Sequence, residues 1–406
     1  MLPILATESS FSKMKYLPLL VLIFFYGIQY SRAQSEISAY YKEKSIIQKS
    51  KIALELWEYY SRYSVDSLNV IGFDLLLLNS KKKLPFVEAV ANRLLGCYDV
   101  RSGSIKNGVK LLNRSKAIFL NIQDYNLLCE AYNELGIAYL LMGDVNTAKK
   151  YFKNSLSVGK KSSRSTLSYM AEINLAKCLL QEGELIYSKR LTEHYIRFAE
   201  RDEKYESVAN GYSLLGQIAL DENKLKRAEK CFNTQLRFAH KTNAPLISTR
   251  AIGNQAILLF MSGDYEESLI LFKKVLIDRQ IQGFHAYTCE SYMNIANYYY
   301  QREQVALAND YIDSCFNLAD NQGLLSHQIE VLELKREYIP SDYLTKQLSG
   351  LYDEQKQLIQ INHDQRKSLN NKKVDGSKNK NETSYLYLLL ACIPIVLWVI
   401  YRKTNV

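Results

Sequence analysis

The sequence predicts an all-α fold: an α-solenoid of six or more helix hairpins, then a juxtamembrane helix or coiled coil, then one C-terminal transmembrane helix. Three observations predict it. Small residues return every 40 positions, at Gly96, Gly136, Ala176, Gly216, Ala256 and Ala296. A turn residue follows each at Gly103, Gly143, Gly183, Asn223, Gly263 and Glu303. No stretch alternates as a β-strand would, and only 6 prolines interrupt the chain, which leaves room for long helices.

One repeat shows the logic. Asn133 to Phe152 reads NELGIAYLLMGDVNTAKKYF. Leu135, Gly136 and Tyr139 fall on a first helix, Gly143 and Asp144 make the turn, and Ala148 and Phe152 fall on a second. Antiparallel helices approach closely only where side chains are small, so Gly or Ala recurs at the crossing. A second small residue follows at Gly108, Ala148, Ser188, Ala228, Ser268 and Ala308. A mostly bulky one comes next, at Leu112, Phe152, Thr192, Phe232, Phe272 and Ile312, and fills the space beside the crossing. Gly at the turn supplies a left-handed cap, and Asp144 and Asp264 are placed to cap the second helix.

From Leu84 to Leu325 this pattern resembles the tetratricopeptide repeat, carried by Tyr132, Leu135, Gly136, Tyr139, Gly143, Ala148, Phe152 and Ser155. That family's usual period is ~34 residues. The longer period here fits about one and a half more helical turns per repeat. The resemblance implies a right-handed solenoid whose first helices line a concave groove. It places at that groove Arg93, Glu130, Asn133, Asn174, Lys177, Asn210, Gln217, Arg250, Asn254, Glu290, Asn294 and Asn297. Amides there can donate to and accept from a peptide backbone, and Lys177 and Arg250 can meet a carboxylate. The plainer reading of the Asn beside the small marker residue is repeat consensus.

Around the array the chain divides by composition. Residues 1–33 read as a secretory signal: Lys13 and Lys15, an apolar run from Leu17 to Ile28, then small residues up to Ala33. Residues 34–83 supply capping helices and 84–340 the array, with breaks near Ser162, Asp202, Asn243 and Gly283. Pro245 starts a first helix, and a last helix is expected at Ser326 to Glu337. In 341–373, Leu344, Leu351 and Leu358 fall seven apart. That spacing fits a parallel coiled coil and a homodimer, or a single charged helix beside the membrane. A polar linker at 374–384 leads to the uncharged run YLYLLLACIPIVLWVIY at 385–401, aromatic at both ends, and a short tail at 402–406. Lys372, Lys373, Lys378 and Lys380 before that span argue for an array inside the cell. The signal argues for the outside, and prevails because it acts first. The expected location is a bacterial cell envelope, anchored in the inner membrane with the array in the periplasm.

The chemistry-bearing residues form no constellation. The 7 cysteines and 5 histidines are scattered, with no CxxC, HExxH or zinc spacing. There is no phosphate loop and no nucleophile elbow. The expectation is therefore a non-enzyme with no cofactor and no metal. The net charge of +10 is spread along the chain without a basic stripe, which argues against nucleic acid. The partner expected is a protein or peptide. The layout further resembles the sensor halves of Bacteroidota-type membrane-anchored signalling proteins. No output domain follows here, so a signal is expected to leave through a partner. The alternative is an envelope assembly scaffold with no signalling role.

Overall fold

Short links at a 20-residue spacing set the architecture. The computed structural model describes residues 37–371 apart from 64, 162–165, 243 and 284. Among the described residues every regular element is helical. After a helical turn at residues 37–42 come α1 (Ile46–Tyr63), α2 (Val65–Lys82), α3 (Pro85–Arg101), α4 (Ile105–Asn121), α5 (Tyr125–Leu141) and α6 (Val145–Gly159). Then follow α7 (Thr166–Gln181), α8 (Leu185–Arg201), α9 (Tyr205–Asp221), α10 (Leu225–Ala239), α11 (Pro245–Ser262) and α12 (Tyr265–Ile281). The last are α13 (His285–Gln301), α14 (Val305–Asn321), α15 (Leu325–Tyr338) and α16 (Asp342–Asn371).

The left-handed residues that end the helices are Lys83, Gly103, Gln123, Gly143, Gly183, Glu203, Asn223, Gly263, Gly283, Glu303 and Gly323, with φ between 51° and 93°. All fall in one 20-residue register. The turn expected inside each hairpin is therefore matched by an equal turn between hairpins. Glu203 and Gly283 fall at breaks expected from the sequence, near Asp202 and at Gly283, while Gln123 stands where the sequence marks none. Helices of about 17 residues absorb the additional length of each repeat.

Small and bulky residues interlock as the spacing requires. Gly136 lies against the Phe152 ring and Gly216 against the Phe232 ring, so a Cβ at either glycine would overlap its aromatic partner. Ser188 Oγ donates to the Ala176 carbonyl at 2.7 Å, and Ser268 Oγ to the Ala256 carbonyl at 2.8 Å. Each hydroxyl thus closes a crossing on its own partner helix. Asp144 caps α6 by accepting from the Thr147 N–H at 3.0 Å. Asp264, expected to do the same, makes no cap bond although its backbone is nearly the same (φ −81°, ψ 61° against −84°, 71°).

Successive first helices touch one another: α5 meets α7, α9 meets α11 and α13 meets α15. Second helices do not approach each other to that extent. The array therefore curves with α3, α5, α7, α9, α11, α13 and α15 on the inside.

The chain forms two compact units, residues 1–358 and 359–406. Within the first, Leu344 and Leu348 of α16 are buried, and Leu351 and Leu358 pack on the same cluster as Ile329, Val331 and Leu332. The last hairpin exposes an apolar edge that needs a cover, and these leucines supply it. That corrects the coiled-coil reading of 341–373. Up to Leu358 the seam expected to pair two copies is occupied within one chain. Within the same unit, the α3–α4 turn meets the α14–α15 turn. A Cβ on Gly103 would strike the Gln322 carbonyl, and one on Gly323 would lie 3.4 Å from the Gly103 Cα. The expected signal peptide, linker, membrane span and tail lie outside the described residues. Among the described residues no helix is long and apolar enough to cross a membrane.

Candidate functional site

The inner face is a ladder of equivalent positions, one rung per repeat. Six residues before the small marker stand Glu130, Met170, Asn210, Arg250 and Glu290, and the same register reaches Glu330 on α15. Cross-links run between rungs. Arg250 donates from Nη1 to Asn210 Oδ1 at 2.7 Å and from Nη2 to Tyr287 Oη at 3.0 Å. Asn174 Nδ2 donates to Asn133 Oδ1 at 3.0 Å. Asn254 Nδ2 donates to Ser213 Oγ at 2.9 Å and to Gln235 Oε1 at 2.7 Å. Tyr338 Oη donates to Asn297 Oδ1 at 2.9 Å. These bonds join one repeat to the next, so they set the curvature of the groove as well as its lining.

The twelve residues expected at the groove have different surroundings. Arg93 is 1% exposed, pairs with Glu130 at 2.5 Å and lies over the Trp57 ring at 4.2 Å from its centroid. Helix α1 therefore covers it, and it joins the N-terminal helices to the array. Asn174 and Asn254 are buried. Asn133, Asn210, Arg250 and Asn297 are half-buried and bonded between repeats. Lys177 and Gln217 are exposed, and Asn294 is half-buried. Among the described residues these three have no hydrogen-bond or ion-pair partner.

Charge divides along the groove. Lys177 of α7 lies within electrostatic reach of Arg250 and Glu290, on helices two and three repeats away. Its side chain is open to water while the surrounding helices crowd out bulk solvent. That enclosure, with Arg250 adding to it, lowers the ammonium to about 8. Glu290 meets Arg279 of α12 at 3.5 Å, and burial raises its carboxyl despite the cations beside it. Arg279 itself is held by the Tyr287 carbonyl at 2.6 Å and Ser291 Oγ at 2.9 Å. Next along is Glu330 of α15, open to water at the surface. Enclosure first, then Glu290 and Glu333, push it up to about 7. Beside it opens a hollow of about 460 Å³ lined by Glu330, Glu333, Leu334, Arg336 and Glu337.

Arg279, Tyr287, Glu330 and Glu333 do not emerge from sequence reasoning. Glu330 is within reach of it: carrying the 40-residue register one step beyond Glu290 finds it. Treating the final helix only as a cover for the array hides that step. Arg279 comes from a second helix, where the repeat pattern gives no reason to look. Among the described residues no cluster of His, Cys, Asp or Glu is arranged to hold a metal ion. The six described cysteines are free and buried, and burial raises the Cys97 thiol to about 12 and the Cys178 thiol to about 11.

Curved stacks of helix hairpins with an inner polar ladder define an architecture, the α-solenoid repeat. Within that architecture the chain is similar to tetratricopeptide-repeat proteins: a tetratricopeptide-repeat model matches residues 130–158, and helix pairs of the same spacing continue on either side. The fold is similar to three solved structures. A Rap protein complexed with competence and sporulation factor is 13% identical, covers 86% of this chain and 99% of its own, and has a TM-score of 0.59. The Rap conjugation gene regulator of the plasmid pLS20, in complex with the Phr* peptide, is 13% identical, with coverage of 81% and 95% and a TM-score of 0.57. NprR in complex with its cognate peptide NprX is 13% identical, with coverage of 75% and 88% and a TM-score of 0.54. No curated protein matches the sequence.

Proposed function

We propose that the protein binds a peptide, or an extended segment of a protein, along the inner face of the array, and acts as a non-catalytic adaptor or sensor in signalling. The observation that carries this is the set of inner-face polar side chains without partners, Lys177, Gln217, Asn294 and Glu330, alternating with residues that lock the repeats together. Polar groups left open on a rigid curved wall are available to a ligand's backbone and charges. The similar solved structures support the reading, since one Rap protein is seen with the Phr* peptide, NprR with its cognate peptide NprX, and another Rap protein with competence and sporulation factor. The sequence supports a membrane-anchored placement in the cell envelope, through the signal at 1–33 and the span at 385–401.

Binding is tested by retention of random octapeptides on the purified full chain. Retention is expected, and Gln217→Trp together with Asn294→Trp is expected to abolish it. Retention that survives both blocks contradicts a groove site. Placement is tested by protease added to spheroplasts: cleavage of the array is expected, and protection contradicts a periplasmic location. The scaffold reading draws on exposed apolar residues of the second helix α12, where Ile270, Ile277 and Ile281 are 65%, 55% and 80% exposed. Copurification with an assembly complex in place of a kinase or regulator would favour it.

A further inference from the structure

The groove sets an excess of cations beside an excess of acids: Glu290 lies within reach of Lys177, Arg250 and Arg279, while Glu330 lies among Glu290 and Glu333. Lys177 and Arg250 repel each other at one place, with Arg279 within reach of Arg250. Glu330 stands with Glu290 and Glu333 at the next. The sign changes between one rung and the next, from Arg250 to Glu290 at equivalent positions of α11 and α13. Only one ion pair, Arg279 with Glu290, bridges the two groups among the described residues. Lys177 and Glu330 have no pairing of their own. Like charges enclosed by protein oppose folding, and the opposition is relieved when a counter-charge enters.

A single ligand relieves both ends if it carries one charge of each sign. The inner helices supply the rest of its contacts, with Gln217 and Asn294 open to hydrogen-bond a backbone. We infer that the groove reads a peptide at two points of opposite charge: Lys177 and Arg250 take a carboxylate, and Glu290 and Glu330 take an amine or guanidinium of the same peptide. This rests on the peptide-binding reading above and adds ligand polarity to it. Bound peptide therefore runs with its anionic group toward α7 and α11 and its cationic group toward α13 and α15. The hollow lined by Glu330, Glu333, Leu334, Arg336 and Glu337, with three carboxylates to one guanidinium, gives the cationic side chain room.

The test uses four libraries of octapeptides with random interiors on the full chain. One has an amino-terminal Lys and a free carboxylate. The second has the Lys and an amidated end, the third an acetylated Gln and a free carboxylate, and the fourth an acetylated Gln and an amidated end. The first is expected to be retained about tenfold over the second or third, the scale of one good charge-assisted contact. Lys177→Gln is expected to erase the distinction between carboxylate and amide only. Glu290→Gln with Glu330→Gln is expected to erase the preference for Lys only. Unchanged melting curves exclude loss of fold as the cause. Equal retention of all four libraries overturns the two-point reading while leaving peptide binding in place, as does equal loss of every library in both variants. Free lysine competing as well as the first library overturns the peptide as ligand for these charges. Retention of no library overturns both readings.

Discussion

Arg93 and Lys177 both stand at inner-face positions of the repeat, and their surroundings give them different work. Arg93 is roofed by Trp57 and paired with Glu130, so its charge is spent on holding α1 to the array. Lys177 is open to the groove and unpaired. Glu130→Gln strands a buried guanidinium and is expected to lower stability by about 3 kcal/mol in urea denaturation. Lys177→Gln strands nothing and removes a repulsion with Arg250, so the same curve is expected to show no loss of stability. Glu330 gives the pH dependence. It faces Glu290 from α13 and Glu333 from its own helix, and its carboxyl is raised to about 7. It is neutral below that pH and charged above it. Retention of lysine-bearing peptides is therefore expected to rise from pH 6 to pH 8, and the rise is expected to shrink in Glu330→Gln. At this scale the sequence identifies positions but not their states. The spacing that places Arg93 on the inner face cannot show that Trp57, from outside the repeats, lies across it.

The helix and its turn are the level at which the sequence is most legible. Gly143 and Gly263 announce their turns because glycine adopts positive φ without strain. Gln123, Glu203 and Glu303 adopt the same left-handed conformation with a Cβ in place. Packing on both sides imposes it there, and no local preference reveals it. This is why the break near Asp202 can be read from the 40-residue period but the turn at Gln123 cannot. Since a left-handed non-glycine residue costs about 1 kcal/mol, Gln123→Gly and Glu203→Gly are each expected to stabilise the flanking helices by roughly that amount. Hydrogen exchange in α4, α5, α8 and α9 would show slower opening. Faster opening would mean that side-chain contacts at the turn outweigh the backbone strain. The seam of Leu344, Leu351 and Leu358 is the opposite case. Its spacing is plain in the sequence, but a seven-residue spacing does not say whether the partner is a second copy or the chain's own last hairpin.

Across the whole first unit, the contact between the Gly103 and Gly323 turns links the beginning of the array to its end. It lies 220 positions apart in sequence and has no signature there, because it depends on curvature summed over every repeat. Gly103 and Gly183 have similar φ, 89° and 77°, but a Cβ meets the Gln322 carbonyl at the first and nothing within 4 Å at the second. Valine at either position carries the same backbone strain, and only Gly103→Val also pushes the two turns apart. With spin labels at Lys106→Cys and Asn321→Cys, the separation is expected to widen in Gly103→Val and to hold in Gly183→Val. The same widening in both would show that the contact does not govern the closure.

The central claim is that binding occurs on the inside of the curve. It is tested most directly by a photocrosslinking amino acid placed either at Gln217, on the inner helix α9, or at Ile186, which is 80% exposed on the second helix α8. With a pool of random octapeptides, adducts are expected at position 217 and not at 186. Adducts at 186 alone, or equally at both, would contradict the account.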